Sequence, residues 1–136
     1  MRATICKTFT FSAAHQLPNH DGKCVNEHGH NYRAEIAVRG AVRSNDGTAA
    51  EGMVCDFSAV KRVWRESCEP LLDHVNLNVT IGPEVGVTTA ENIAAWIFLR
   101  MRGGLAQPLE ERGVLWSVTV WETDTCCACV NWEDVS

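Results

Sequence analysis

The sequence lacks any long apolar run. No stretch of its 136 residues approaches the roughly 20 apolar residues that a membrane-spanning helix needs, and the first residues carry no apolar run of signal-peptide length. Internal repeats, low-complexity tracts and an obvious linker are also missing. These absences predict a single domain over residues 1–136 that does not interact with a membrane.

The sequence has fewer basic than acidic residues. The chain has 12 Lys and Arg against 17 Asp and Glu, so its formal net charge is -5. The basic residues are scattered, which argues against binding to nucleic acid, although a few of them suffice to hold a small phosphorylated ligand.

The seven cysteines are an odd number in a chain without an export signal. This usage predicts reduced thiols in a cytoplasmic protein rather than a disulfide framework.

Hydrophobic periodicity predicts the order strand, strand, helix, helix, strand, strand. The strands are predicted at residues 4–14, 28–42, 114–122 and 126–132. The first helix begins at a cap formed by Asp56 or Ser58. The second follows a capping box at residues 88–91 and is stopped by Gly103 and Gly104. This order predicts an α+β fold: a four-stranded antiparallel sheet with two helices on one face.

Cys126, Cys127 and Cys129 contain a C-x-x-C spacing. The alternation of Ala128 and Val130 between them favours a strand, on which Cys126 and Cys129 would face opposite sides. We therefore interpret these cysteines as packing residues and not as a metal or redox motif.

Three histidines have the spacing of a metal site. His28 and His30 flank a glycine in the second predicted strand, where residues i and i+2 share a face. His15 ends the first strand, which could pair with the second. Three imidazoles leave one tetrahedral position of a zinc ion open for catalysis, although copper, nickel and iron also accept imidazole. The alternatives are half-exposed strand histidines, or a closed structural site completed by Cys24.

Four further residues could carry acid–base or binding chemistry. Cys24 precedes His28 in the loop that enters the histidine site, where a cation would favour its thiolate as a general base. Asp73 and His74 are adjacent, and a carboxylate can orient an imidazole. Glu122 ends the third strand and could accept two hydrogen bonds from an amidine-like edge. The alternatives are a packed thiol, a polar helix end and a solvated carboxylate.

Six segments in order resemble the family of 6-pyruvoyltetrahydropterin and 6-carboxytetrahydropterin synthases. The resemblance covers nearly the whole chain. Cys24, His28 and His30 stand as in the family's Cys-x-x-x-His-Gly-His motif. The matching segments are residues 11–17, 24–32, 52–57, 72–78, 88–92 and 120–123.

The resemblance implies the tunnelling fold (T-fold), in which the sheets of several subunits join into a barrel, and a homohexamer of two trimers. His15, His28 and His30 would bind zinc. The proton-transfer triad would be Cys24, Asp73 and His74, with active sites between subunits. The pterin ring of 7,8-dihydroneopterin triphosphate would be held by Glu122 with the help of Thr88 and Thr89.

Within the family, the compact chain and the short spacing from Cys24 to His28 resemble the 6-carboxytetrahydropterin synthases, the carboxy branch. That branch forms 6-carboxy-5,6,7,8-tetrahydropterin for 7-deazaguanine and queuosine synthesis, releasing acetaldehyde and triphosphate. The pyruvoyl branch, which keeps the carbon chain, is the alternative. Glu27 directly precedes His28 and opens another, because some relatives with an acidic residue here cleave dihydroneopterin derivatives for folate synthesis. The alternative for Glu27, which we prefer, is a solvated loop carboxylate. A zinc-binding assembly module without catalysis is the non-enzymatic alternative.

Overall fold

A five-stranded sheet with helices on one face forms the framework of the protein. The structure is a computed structural model that describes residues 1–44 and 46–135. The residue types at positions 44–47 (Ser-Asn-Asp-Gly) predict a turn, and one of them, Asn45, lies outside the described residues. The elements in chain order are β1 (Arg2–His15), β2 (His28–Ala41), α1 (Phe57–Ser67), α2 (Glu69–Leu72), β3 (Val75–Asn76), α3 (Leu77–Thr80), α4 (Gly82–Val85), α5 (Ala90–Leu109), β4 (Gly113–Thr123) and β5 (Cys126–Asn131).

The strands lie in the order β3-β1-β2-β4-β5. The four long strands are antiparallel neighbours, as predicted. The fifth, β3, has only two residues and pairs parallel to β1, so the sheet is mixed. The α+β prediction is confirmed, but the strand count is one too low because a two-residue strand leaves no periodic pattern in the sequence.

The helices cover one face of the sheet. On β2 the alternate residues Tyr32, Ala34, Ile36 and Val38 are fully buried beneath them. Trp64 of α1 anchors that helix on β1 by stacking on Phe9, with the ring centroids 4.7 Å apart. Each large apolar side chain buried in this way stabilises the fold by about 1.5–3 kcal/mol. No helix of the described residues is long and apolar enough to cross a membrane.

Both long helices begin at side-chain caps. The Asp56 carboxylate accepts a hydrogen bond from the Ser58 amide at 2.8 Å, which decides between the two predicted caps of α1. At α5 the Thr89 hydroxyl accepts from the Asn92 amide at 3.3 Å. Because Thr89 is the cap, the preceding Thr88 lies outside the helix and is fully buried.

The two glycines predicted to stop α5 lie inside it, and that prediction is wrong. The helix continues to Leu109. A methyl group added at Gly104 would collide with the Val63 side chain of α1, whereas one at Gly103 would meet no described atom within 4 Å. Gly104 therefore allows α1 and α5 to pack closely, which a local sequence signal for helix ends cannot distinguish from a stop.

The sequence predicts that Trp116, Val118 and Val120 alternate on one side of β4, and a bulge changes this pattern. Val38 pairs with Leu115 but Ala37 pairs with Ser117, so Trp116 is the extra residue. Leu115 is consequently buried in place of Trp116. Trp116 instead lies beneath the Arg39 guanidinium, whose carbon is 5.0 Å from the ring centroid.

The cysteines of β5 do not pack in the core. Cys126, Cys127 and Cys129 are all exposed in the described subunit, so the packing interpretation is wrong for them. The reason is that β5 is an edge strand, with a neighbour on one side only. All seven cysteines are free thiols, as expected from their odd number.

The contact between α1 and α5 gives the first prediction. Gly104→Ala should destabilise the protein by about 1–3 kcal/mol, because the added methyl group overpacks the contact with Val63. The matched variant Gly103→Ala should leave stability unchanged or raise it by up to about 1 kcal/mol, since alanine favours a helix. Urea unfolding of both variants measures the difference. Equal effects of the two substitutions would contradict close packing at Gly104.

Candidate metal centre

Three histidine side chains converge where β1 ends and β2 begins. The antiparallel pairing places His15 directly opposite His28, and His30 follows two residues later on the same face. One ring nitrogen from each of the three lies within 4.8 Å of the others. The predicted convergence of the three imidazoles is therefore present.

Backbone carbonyls orient two of the rings. The Nδ1 atom of His15 lies 2.8 Å from the carbonyl oxygen of Thr88. The Nδ1 atom of His28 lies at the same distance, 2.8 Å, from the carbonyl oxygen of Asn26. A carbonyl only accepts, so each Nδ1 carries a hydrogen, and in a neutral ring Nε2 then presents its lone pair. This is the arrangement in which a histidine ligates a metal through Nε2.

The three Nε2 atoms fit a metal ion. In His15, His28 and His30 this atom is buried without a hydrogen-bond partner among residues 1–44 and 46–135. Leaving a buried polar atom unpaired costs about 1–3 kcal/mol. A divalent cation satisfies all three at once, and burial lowers the pKa of His30, which keeps its ring neutral for ligation. An all-imidazole donor set suits zinc but also neighbouring transition metals.

Glu122 lies against the histidines. Its Oε1 atom is 3.2 Å from Nε2 of His15 and 3.3 Å from Nε2 of His30. Contact with the His15 ring, together with the nearby imidazoles, holds the pKa of the Glu122 carboxyl below its ordinary value although burial opposes this. The carboxylate predicted to hold a substrate edge thus contacts two of the three candidate ligand nitrogens.

Thr88 and Thr89 support the site in the described subunit. Thr88 is fully buried, and its hydroxyl oxygen lies 3.3 Å from His15 Nδ1. Thr89 caps α5. Thr88 therefore contacts His15, a candidate ligand, through both its hydroxyl and its backbone carbonyl. The sequence did not predict this contact, because every residue type has a backbone carbonyl.

Asp73 and His74 form the predicted pair. Oδ2 of Asp73 lies 2.9 Å from Nδ1 of His74, and Oδ1 accepts a hydrogen bond from the Ser12 amide at 2.9 Å. The Ser12 amide, followed by His74, lowers the pKa of the Asp73 carboxyl. His74 adopts a left-handed φ of 58°, and its amide donates to the Ser12 carbonyl at 2.6 Å. β1 thus holds the pair in place, with His74 in a conformation that is unfavourable for a non-glycine residue.

Cys24 stands apart from both groups. It lies in a single 3-10 turn, Lys23–Val25, and is half-buried. The group of converging ligand atoms consists of the three histidines and does not include its thiol. Among residues 1–44 and 46–135, no hydrogen bond or ion pair joins Cys24 to His74, whose side chain is 81% exposed.

A cavity of about 510 Å³ opens beside the histidine site. It joins the ends of β1 and β2 to β3. It is lined by Ser12, Ala13, Ala14, Glu27, Gly29, His30, Asn31, His74, Val75 and Asn76. The cavity therefore places a metal-site histidine, the imidazole of the Asp73–His74 pair and Glu27 around one space.

The family model for 6-pyruvoyl tetrahydropterin synthase matches residues 4–133. The chain belongs to this family. It is 44% identical to 6-carboxy-5,6,7,8-tetrahydropterin synthase of Synechocystis over 91% of this chain and 89% of the relative. It is 32% identical to human 6-pyruvoyl tetrahydrobiopterin synthase, over 90% of this chain and 87% of the relative.

Solved structures of the family share the fold. The 6-pyruvoyl tetrahydropterin synthase of Caenorhabditis elegans superposes with a TM-score of 0.79 at 29% identity and covers 96% of each chain. The sheet described above is thus the T-fold, as the resemblance implied. Membership of the 6-pyruvoyl tetrahydropterin synthase family supports a role of this chain as a pterin synthase. His15, His28 and His30 of the chain form a group that can hold a metal.

The second prediction concerns metal content. His28→Ala should lose bound metal, because it removes one of three converging ligand atoms. His20→Ala is the matched control, since His20 is exposed and its Nδ1 only accepts a hydrogen bond from the Gly22 amide. Elemental analysis of both purified variants and the parent checks this. Full metal occupancy in His28→Ala would contradict the site.

Proposed function

We propose that the protein is a zinc-dependent 6-carboxytetrahydropterin synthase. It converts 7,8-dihydroneopterin triphosphate into 6-carboxy-5,6,7,8-tetrahydropterin, with loss of acetaldehyde and triphosphate, for 7-deazaguanine and queuosine synthesis. The observation that carries the proposal is the convergence of one ring nitrogen from each of the three histidines, within 4.8 Å of one another, beside an open cavity. The carboxy branch is favoured by 44% identity to a relative of that name, against 32% to the human pyruvoyl enzyme.

His15, His28 and His30 would hold the ion. Bound there, zinc would supply Lewis acidity toward the side-chain oxygens of the substrate. The carbonyls of Thr88 and Asn26 would keep two of the rings in the ligating tautomer. The charged carboxylate of Glu122, with Thr88 and Thr89 nearby, would orient the pterin.

Cys24 and His74 would move the protons. His74 is oriented by Asp73, which Ser12 fixes in turn. Because His74 is almost fully exposed and lies away from Cys24, the proposed triad requires groups from neighbouring subunits. This supports a homo-oligomer, proposed as a hexamer of two trimers, whose sheets join at their edge strands. The edges β3 and β5 each lack one neighbour within the described subunit.

Product analysis tests the reaction. The zinc-loaded protein is incubated with 7,8-dihydroneopterin triphosphate, and the products are followed by mass. Acetaldehyde and 6-carboxytetrahydropterin are the expected products. A product that keeps the carbon chain would replace the carboxy assignment by the pyruvoyl one, and complete inertness would favour a non-catalytic zinc-binding module.

The third prediction separates catalysis from metal binding. Cys24→Ala should lower kcat by about 10²–10⁴-fold, the usual contribution of a positioned acid or base. Zinc content and oligomeric state should not change, because the Cys24 thiol lies outside the converging ligand atoms. Cys6→Ala, an exposed thiol on β1, is the control and should retain activity. Loss of zinc from Cys24→Ala would make Cys24 a ligand and contradict its catalytic role.

A second candidate function is side-chain cleavage for folate synthesis with Glu27 as the base. The observation that favours it is the position of Glu27, which lines the cavity together with His30 and His74 whereas Cys24 does not. A Plasmodium vivax 6-pyruvoyltetrahydropterin synthase, 22% identical to this chain, has been solved with a catalytic glutamate replaced by alanine.

The fourth prediction tests this candidate. If Glu27 is the base of a cleavage reaction, Glu27→Gln should abolish any 6-hydroxymethyl pterin while sparing the 6-carboxy product, since the amide keeps the shape but cannot take up a proton. Glu66→Gln on the exposed surface of α1 is the control. Mass analysis of both product pools decides. If the parent forms no 6-hydroxymethyl pterin, this candidate is excluded.

A further inference from the structure

The pairing of β1 with β3 ends one residue before His15. Its parallel register ends with Ala14 opposite Asn76, after which the chain enters α3. The pairing of β1 with β2 ends at His15 itself. Among the described strands, the backbone of Gln16, the next residue, therefore has no partner.

A side chain takes the place of the missing strand partner. The carboxamide of Asn78 accepts a hydrogen bond from the Gln16 amide at 2.9 Å and donates one to the Gln16 carbonyl at 3.0 Å. A carboxamide has both the donor and the acceptor of a peptide group. Continued by two residues, the register of β1 and β3 would place residue 78 opposite Gln16. The Asn78 side chain thus replaces a further backbone pair where α3 has already begun.

The same carboxamide reaches the histidine site through Thr88. The Thr88 hydroxyl donates to Oδ1 of Asn78 in a long hydrogen bond of 3.4 Å and lies 3.3 Å from Nδ1 of His15. Asn78 therefore acts on His15 from two sides, on its backbone through Gln16 and on its ring through Thr88. The two shorter bonds to Gln16 are the stronger of these contacts.

The loop that contains Cys24 begins at the residue that Asn78 holds. Leu17, which follows Gln16, donates its amide hydrogen to the Cys24 carbonyl at 2.7 Å. The loop then returns to the sheet at His28, the second candidate ligand. Fixing Gln16 thus fixes both the end of the strand that carries His15 and the base of this loop.

We propose that Asn78 is a positioning residue for the metal site and for the loop that contains Cys24. It acts through Gln16 and Thr88 and does not itself bind the ion. The inference rests on the metal site of the proposed function, but not on which pterin product is formed. It assigns to α3 a role that the proposed function leaves open.

Amide hydrogen exchange in the metal-free, full-length protein tests the contact itself. Asn78→Ala and Asn78→Leu both remove the donor and the acceptor, and leucine keeps about the same side-chain size. The backbone amide of residue 78 still donates to the Asn76 side chain, so the cap of α3 is retained. Exchange of the Gln16 and Leu17 amides should become at least about tenfold faster in both variants. Unchanged exchange at Leu17 would overturn the role of Asn78 in holding the loop.

Metal binding tests the positioning role. Zinc affinity, measured by chelator competition, should fall by about tenfold in both variants, as expected when a contact that orients a metal ligand is lost. The visible spectrum of the Co²⁺-substituted protein should also shift, because it depends on the geometry of the ligands. Parent-like zinc affinity and a parent-like cobalt spectrum in both variants would overturn the inference and leave the proposed function in place.

Asp56→Ala is the control for a general loss of stability. It removes the side-chain cap of α1 and should lower the urea midpoint. Asp56 lies near the opposite end of the sheet from His15, since the neighbouring Val54 side chain lies against Gly40. Zinc affinity and the cobalt spectrum should therefore match those of the parent. An equal loss of zinc affinity in Asp56→Ala would overturn the inference, and a parent that binds neither metal would overturn it together with the proposed function.

Discussion

The antiparallel pairing of β1 with β2 is the constraint on which the rest of the structure depends. It runs without a register shift from Arg2 opposite Ala41 to His15 opposite His28. Side chains alternate between the two faces of a strand, so a slip by one residue would turn His15 away from His28 and His30. The same slip would move the buried side chain of Phe11 to the exposed face of the sheet. The core and the metal site therefore specify the same register. Few alternative pairings can satisfy both.

A second element must dock before the site is complete. The carbonyl that orients His15 belongs to Thr88, which is 73 residues away at the start of α5. That carbonyl is in place because Thr89, and not Thr88, caps the helix. The packing of α5 on α1 at Gly104 thus bears on the orientation of a candidate ligand, although it lies far along the helix.

The parts of the structure that follow from periodicity could be predicted, and those that follow from tertiary contact could not. Alternation along β2 and the spacing of His28 and His30 are local patterns, so the sheet and the metal group were accessible from sequence. The strand β3 lies against β1 because Ser12 hydrogen-bonds the Asp73 side chain and the His74 backbone, the two residues that precede β3. A pattern of two residues in the sequence cannot reveal these contacts. Gly104 was misread for the same reason: its meaning lies in the partner helix.

The two halves of the candidate site differ in how they are held. The histidines lie at the edge of the core, and the carbonyls of Thr88 and Asn26 fix two of their rings, so one subunit suffices to assemble them. The imidazole of His74 projects outward from a strained position that Ser12 and Asp73 stabilise. Strain of about 1–3 kcal/mol persists only where surrounding contacts over-determine it. Contacts with Ser12 and Asp73 hold His74 in this position, and the proposed assembly would place its reaction partner on a neighbouring subunit.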